Sequence, residues 1–185
     1  MANNAEAVRV AGTGSLWISR LNANPANVTG VSGALPAAQF DDYGFIAEDG
    51  LTLSKSTDWE SIPAWQSSAP VRRVLNSTEL TITAPLLEST DATMQLWSGG
   101  TVTSVTGGKR ISIPTDPEAV PRQVVIDYRD KNKSGVISSR IVIPAAIITE
   151  TADVSLVRTD AVKWEVTLEA VYNGTDDLAY ILTNG

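Results

Sequence analysis

The sequence has neither cysteine nor histidine among its 185 residues. These two absences exclude disulfides, zinc fingers, thiol nucleophiles, imidazole bases and every Ser-His-Asp triad. An enzyme built from this chain would depend on carboxylates, Lys, Tyr or a metal bound by oxygen ligands. The catalytic chemistry open to the chain is therefore narrow.

Long hydrophobic runs are missing as well, since none approaches the ~20 residues of a membrane-spanning helix. The N-terminal residues lack a basic start followed by an apolar stretch, so no signal peptide is predicted. Basic residues are few: 14 Lys and Arg stand against 21 Asp and Glu, which gives a net charge of −7. Such a chain is not expected to wrap nucleic acid, but a repulsive surface past which DNA slides is compatible with this charge.

The residues that are abundant favour β-structure. Apolar residues make up 43% and charged residues 19% of the chain, which is typical of a globular protein, and the length fits one domain over residues 1–185. Ser and Thr contribute nearly a fifth of the chain, and together with Val and Ile they favour pleated, half-solvated sheets.

Alternation of apolar and polar residues predicts strands. It is clearest over residues 162–172, where Trp164, Val166 and Leu168 point to one side and Glu165 and Thr167 to the other. Weaker alternation marks residues 14–20, 51–57, 78–84, 101–105, 109–113, 124–128 and 136–143. Hairpin turns are predicted at Asp49-Gly50, at Gly107-Gly108 and at residues 130–135. Short turns imply antiparallel pairing.

One segment departs from the strand pattern. Ser89, Thr90 and Asp91 precede a short apolar stretch that ends at Gly99-Gly100, which predicts an N-capped helix around residues 90–98 with a left-handed stop. Residues 21–42 show no periodicity and are predicted to form a long loop. The predicted fold is all-β, a mainly antiparallel sandwich or barrel with one short flanking α-helix and long loops or arms.

Acidic pairs need the most caution as candidates for catalysis, because a glycosidase needs just two carboxylates. The adjacent pairs are Asp41-Asp42, Glu48-Asp49 and Asp176-Asp177. All three lie in apparent loops, whereas a catalytic pair usually comes from separate strands that face a cleft. We interpret them as solvated surface groups and predict no catalytic residue, no metal site and no cofactor.

Residues 43–73 form the most informative segment. It is predicted to open with a hairpin and to continue as irregular sequence that holds Trp59, Pro63, Trp65 and Pro70. The two tryptophans either cover the core or are anchors that stay exposed until a partner covers them, because Trp is enriched at interface hot spots. Physical reasoning from the residues leaves both interpretations open.

A family resemblance rests on this segment and on its continuation. The run 44–51 (GFIAEDGL), Trp65-Gln66, residues 71–73 (VRR), residues 78–100 (TELTITAPLLESTDATMQLWSGG) and the closing block 139–173 resemble the major tail tube proteins of long non-contractile-tailed bacteriophages. The resemblance spans about residues 40 to 177. It depends on the order of the elements and on diffuse signatures.

The resemblance implies a structural virion protein of the phage tail, made in the host cytoplasm, and not an enzyme. It implies a β-sandwich with a flanking helix. Six subunits would form a ring whose inner strands close one β-barrel, and stacked rings would form the tube for genome delivery. The implied partners are the protein itself, the tape measure protein and other tail proteins, with DNA passing through the lumen without specific binding and no membrane insertion of the subunit. The N-terminal arm, residues 1–14, and the loop 21–42 are the candidates for bridging successive rings.

Charge is segregated along residues 41–73, with acidic residues first and Arg72-Arg73 at the end. Segregated charge suits a surface that meets a complementary one. We therefore predict a ring-stacking interface in this segment, with at least one tryptophan as an anchor. Its candidate residues are Asp41, Asp42, Glu48, Asp49, Asp58, Trp59, Ile62, Trp65, Arg72 and Arg73.

Alternative functions remain open at this point. A carbohydrate-binding or adhesive β-sandwich would use Trp59 or Trp65 as a stacking platform and would act as a monomer. A small glycosidase would use one of the carboxylate pairs. A tube protein of a type VI secretion system would share the tail tube fold. For a tail tube we further expect acidic residues to outnumber basic ones on the lumen wall, with Ser and Thr in between, because a basic wall would hold DNA.

Overall fold

The computed structural model describes residues 7–23, 25, 28–132, 135–174 and 177–184. Its strands and its helix, in chain order, are β1 (Thr13–Ser19), β2 (Phe40–Asp42), β3 (Thr52–Ala64), β4 (Ser67–Leu86), α1 (Asp91–Ser98), β5 (Val102–Val105), β6 (Gly108–Ile111), β7 (Arg122–Asn132), β8 (Gly135–Thr151), β9 (Trp164–Ala170) and β10 (Tyr180–Thr183). The predicted all-β class with one short helix is confirmed.

One large sheet carries the fold. Its strand order is β2-β1-β7-β8-β9-β4-β3, β10 also pairs with β8, and every pairing is antiparallel. The short β5–β6 hairpin forms a separate two-stranded sheet that turns at Gly107, where φ is +82° and glycine is favoured. The predicted turn at Gly107-Gly108 is thus confirmed. The turn between β7 and β8 is confirmed by the Asn132↔Gly135 pairing, although Lys133 and Ser134 lie outside the described residues.

The sheet bends around one main core, and β8 links its two halves. From one half, β1 and β7 contribute buried residues such as Leu16 and Val124; from the other, β4 and β9 contribute Ile82 and Leu168. Tyr43 is buried among them. On β1, β4, β7 and β9 the inward residues come at every second position, which is the alternation that predicted these strands.

The first half of the sheet is covered on its outer face too. Val125 and Val142 point away from the main core and pack against Val28, Leu35 and Phe40 of the long loop. A loop can leave solvent only if its backbone polar groups find partners. Part of the segment predicted as a long loop over residues 21–42 therefore lies folded on its own sheet, and its last three residues form β2.

Arg140 supplies some of those partners. Its side chain is buried, its Nε and Nη2 donate to the two carboxylate oxygens of Asp127 at 2.6 and 2.7 Å, and its Nη1 and Nη2 donate to the carbonyls of Gly30 and Gly33 at 3.1 and 2.9 Å. The hydrogen bond to Asp127 raises the pKa of Arg140, so the guanidinium stays charged. One buried cation thus fixes the loop to β8.

Helix α1 begins and ends where its capping residues predict. The Thr90 hydroxyl accepts a hydrogen bond from the backbone N–H of Thr93 at 3.2 Å, and Gly99 closes the helix at φ 65° in the left-handed region. A helix this short depends on tertiary packing. Trp97 provides it, with its ring edge-to-face on Trp164 at 5.3 Å and its Nε1 donating to the carbonyl of Ala152.

Two sequence-based predictions about residues 43–73 are wrong. Asp49-Gly50 turns the chain without forming a hairpin, because Ile46 and β3 both lie along β4 instead of pairing with each other. The stretch predicted as irregular is regular: β3 and β4 form one long hairpin that turns between Ala64 and Ser67. Pro63 is tolerated because it sits on an edge strand at a shift in register.

Candidate functional site

The long β3–β4 hairpin leaves the body of the protein. Residues 52–76, which we call the projecting hairpin, are exposed apart from Ala64 at its tip, and burial on β4 starts only towards Leu80. Its cross-strand ladder runs from Thr52↔Thr83 to Ala64↔Ser67. The projecting hairpin is therefore a two-stranded element that is stabilised by its own pairing and by the buried part of β4.

A β-bulge interrupts the pairing of β3 with β4 within the projecting hairpin. Asp58 pairs with Ser77 and Trp59 with Leu75, so Asn76 is the extra residue on β4. The Asn76 side-chain amide donates to Asp58 Oδ2 at 2.8 Å, which uses the polar groups of the bulge. The bulge shifts the side-chain alternation on β4 by one residue. As a result, Trp59 and Leu75 fall on the same face as buried Leu80.

The core-facing side of the sheet consequently continues into solvent, with apolar side chains at intervals along it. Leu53, Trp59 and Leu75 lie on the core-facing side of β3 and β4 yet are 41%, 53% and 49% exposed. Trp65, at the tip, is 99% exposed. These two tryptophans do not cover the core of their own chain. On this side of β3, Lys55 and Thr57 lie between Leu53 and Trp59, so the exposed apolar side chains are spaced along the hairpin. Large exposed apolar side chains are typical of an interaction surface.

The ten candidate stacking residues form two groups. Those on the projecting hairpin are Asp58, Trp59, Ile62, Trp65, Arg72 and Arg73, and those at its base are Asp41, Asp42, Glu48 and Asp49. Ile62 pairs with Arg72, next to the tip. No pattern in the sequence singled out Leu53 and Leu75 as companions of Trp59, because only the register of the hairpin places them on one face.

The base group is held by local contacts. Asp41 forms an ion pair with Arg20 at 2.9 Å, and Asp42 Oδ1 accepts a hydrogen bond from the backbone N–H of Gly44 at 3.0 Å. Glu48 and Asp49 lie in the exposed turn that Gly50 closes at φ 71°. The structure therefore separates this acidic group from the arginines of the hairpin along the length of β3.

A second surface has the opposite character. It lies on the outer faces of β3, β4 and β9, where the side chains that share one side at successive register positions are Thr52, Ser54, Ser56, Glu79, Thr81, Thr83, Glu165, Thr167 and Glu169. We call this the polar face. Each of these residues is Ser, Thr or Glu, and none is basic. The hydroxyls of Thr83 and Thr167 are 3.4 Å apart across the strands.

Neither a metal cluster nor a membrane span is found in the described part of the chain. No group of three or more acidic side chains there could hold a metal ion. None of the helical structure described is long and apolar enough to cross a bilayer.

Comparisons with known structures give similarities of fold at low identity. A chain in the C6-symmetric tail of an empty gene transfer agent particle is 12% identical, with 93% of this chain and 96% of that chain covered and a TM-score of 0.42. A chain in the six-fold symmetrised baseplate of the anti-feeding prophage is 13% identical, with 98% and 97% covered and a TM-score of 0.44. The Hcp protein is 14% identical, with 84% and 86% covered and a TM-score of 0.37.

No curated protein matches the sequence. A family model does match it, over residues 1–185, and that model describes the phage tail tube protein. The match extends beyond the stretch that carried the resemblance, since it includes the N-terminal arm and the long loop. The chain therefore belongs to the phage tail tube protein family and is a structural protein of the virion tail.

Proposed function

We propose that six copies of the protein close into a ring, that rings stack through the projecting hairpin, and that the polar face lines the channel for DNA. The observation that carries this proposal is the division of the sheet into two surfaces. One is a hydroxyl-rich and acidic face, and the other is the exposed hairpin, which carries the apolar side chains of Trp59, Leu75 and Trp65.

The polar face suits a wall past which DNA moves. Duplex DNA carries one negative charge per ~1.7 Å, so basic side chains would bind it by releasing counterions. Glu79, Glu165 and Glu169 instead repel phosphates, and the Ser and Thr between them form only exchangeable hydrogen bonds. We therefore expect DNA to pass through the channel without binding at a specific site.

Lateral closure of the ring involves the free edge of the sheet. β3 ends the strand order, and no described strand pairs with its outer side. Unpaired edges are a liability that closed barrels remove. Pairing of β3 with a neighbouring subunit would satisfy its backbone groups and align successive polar faces around a common lumen. Six subunits per ring follow from the family resemblance.

Stacking between rings falls to the projecting hairpin and to the N-terminal arm. Trp59 and Trp65 offer apolar anchors, and Val8 and Val10 of the arm are also exposed. The loop is less suited to bridging because Val28 and Phe40 are buried on its own sheet. The tape measure protein and other tail proteins complete the set of partners we propose.

The test is assembly of the purified protein at high concentration, with and without the other tail proteins, followed by negative-stain microscopy and sedimentation. Rings or tubes with a central channel are expected. A chain that stays monomeric even with those proteins present contradicts the proposal. A stable monomer that binds glycan would instead favour an adhesive module that uses Trp65.

A further inference from the structure

A cavity of about 600 Å³ lies where the projecting hairpin joins the body. We call it the base cavity. Its walls are largely apolar, with Leu51, Leu53, Ile126 and Ile141 inside and exposed Phe45 at the rim. The volume falls within the ~300–1,000 Å³ typical of sites that bury a ligand. It is ample for one large aromatic side chain.

The charge around the base cavity is of one sign. The charged residues among the described ones that line it are Asp42, Glu88 and Asp127, all acidic. Asp127 is neutralised by Arg140, which leaves Asp42 and Glu88. Glu88 Oε1 accepts a hydrogen bond from the backbone N–H of Phe45 at 2.9 Å, and Gly44 leaves room for this carboxylate because a Cβ there would clash with it.

The tip of the hairpin is complementary to this cavity in both shape and charge. Trp65 stands clear of the chain at the turn, and Arg72 and Arg73 follow it on β4. Of the hairpin's remaining charges only Glu60 lies in the same outer part. The tip therefore carries an exposed aromatic side chain and two nearby arginines, and the cavity has apolar walls with acidic side chains beside them.

The two features lie at opposite ends of β3. Leu53 lines the cavity and Ala64 adjoins the tip, and at about 3.3 Å per residue the strand between them spans roughly 36 Å. The pairing of β3 with β4, which is regular from Thr52 to Ile62 apart from the bulge, holds the tip away from its own cavity. If a second copy were displaced along the hairpin axis by about that distance, its base cavity would lie at the tip of the first copy. Such head-to-tail contacts can repeat without limit.

We propose that the base cavity of each subunit receives Trp65 from the hairpin tip of a subunit in the adjacent ring, with Arg72 and Arg73 set against Asp42 and Glu88. This inference rests on the proposed function, because it names the acceptor for the stacking hairpin. It also limits the axial repeat of the tube to at most about 40 Å, because the hairpin must reach from one ring to the base cavity in the next.

The absence of native cysteine allows a clean cross-linking test. The variant with Gln66→Cys and Phe45→Cys keeps Trp65 and puts one thiol beside the tip and one at the cavity rim. In assembled tubes, mild oxidation should give a ladder of dimers, trimers and longer head-to-tail chains on a denaturing gel. The matched control pairs Gln66→Cys with Val105→Cys, which is exposed on β5 away from the cavity, and should remain monomeric.

A second measurement tests the charges. Arg73→Glu should raise the protein concentration needed for assembly by about tenfold, and in a Glu88→Gln background the same change should raise it only about threefold. The amide oxygen introduced by Glu88→Gln can still accept the hydrogen bond from the backbone N–H of Phe45. Equal penalties in the two backgrounds would show that Arg73 does not face Glu88.

Failure of this inference can be told apart from failure of the proposed function. Tubes that form but give no ladder, that cross-link equally in the control, or whose axial repeat is much longer than the hairpin would overturn the docking and leave ring assembly intact. Wild-type protein that forms no tubes with the other tail proteins present would overturn the proposed function itself.

Discussion

Arg140 shows how a single buried charge fixes a long loop. Its guanidinium binds Asp127 and the carbonyls of Gly30 and Gly33, so its removal leaves a carboxylate and two carbonyls without a donor. Arg140→Ala should lower the free energy of unfolding by about 3 kcal/mol, in the range for one lost partner of a buried pair. Denaturant unfolding measures the loss, and hydrogen exchange should show residues 28–40 released first.

The matched variant for this prediction is Arg140→Lys. Lysine keeps the charge but lacks the planar fork, so it should recover only part of the stability. Full recovery with Lys would mean that charge alone, and not the shared hydrogen bonds, holds the loop.

Because Tyr43 is buried, the protein should become less stable at alkaline pH. Burial raises the pKa of Tyr43 to about 12, with nearby Arg122 acting in the opposite direction. The unfolded chain ionises near its ordinary pKa of about 10, so the stabilising contribution is complete below that pH and is lost as the pH rises through the folded-state pKa. Over this interval the wild type should lose about 2–3 kcal/mol more than Tyr43→Phe, measured by denaturant unfolding at each pH. Parallel curves for the two proteins would contradict the assignment.

At the scale of elements, four of the five tryptophans form two pairs with different roles. Trp97 and Trp164 join helix α1 to β9, whereas Trp59 and Trp65 belong to the projecting hairpin. Trp65→Ala should change the unfolding free energy by less than about 0.5 kcal/mol and Trp59→Ala by about 1 kcal/mol, since both side chains are largely solvated. Both variants should nevertheless lose tube formation, which sedimentation measures.

Trp97→Ala is the matched control for this pair. It should destabilise the monomer by about 3–4 kcal/mol, because it removes the aromatic contact that holds the short helix. Hairpin variants as unstable as Trp97→Ala would mean that Trp59 and Trp65 support the monomer and not the contact between rings.

At the scale of the whole molecule, the polar face predicts how the tube treats DNA. Replacing Glu79, Glu165 and Glu169 together by Lys should leave assembly intact if the face is open to the lumen. The tubes should then retain DNA at low salt and release it as salt rises, because each phosphate contact adds to the salt dependence. Filter retention of labelled DNA against salt concentration measures the effect.

The same three positions changed to Gln provide the control. Neutral side chains remove the repulsion without adding cations, so these tubes should hold no more DNA than the wild type. A Lys variant that fails to assemble while the Gln variant assembles would place these residues at a subunit contact instead of the channel.

Local sequence determined the features that depend on one buried face or on a capping residue. Residues 162–172 alternate because β9 has the core on one side and solvent on the other, and Thr90 and Gly99 fix the limits of α1. The acidic balance and the absence of His and Cys follow from composition alone. The tail tube resemblance was also recognisable, because the order of elements survives where individual residues do not.

Tertiary structure alone decided the extent of the hairpin and which surfaces stay uncovered. The projecting hairpin is exposed on both faces, so beyond the weak alternation of residues 51–57 burial leaves no strand pattern in its sequence, and the bulge at Asn76 shifts the alternation on β4 by one residue. The loop could not be predicted for the opposite reason: Val28, Leu35 and Phe40 pack against Val125 and Val142, which lie far away in the chain. Periodicity reports a contrast between two sides of one element, whereas the base cavity and the polar face exist only once distant strands have paired.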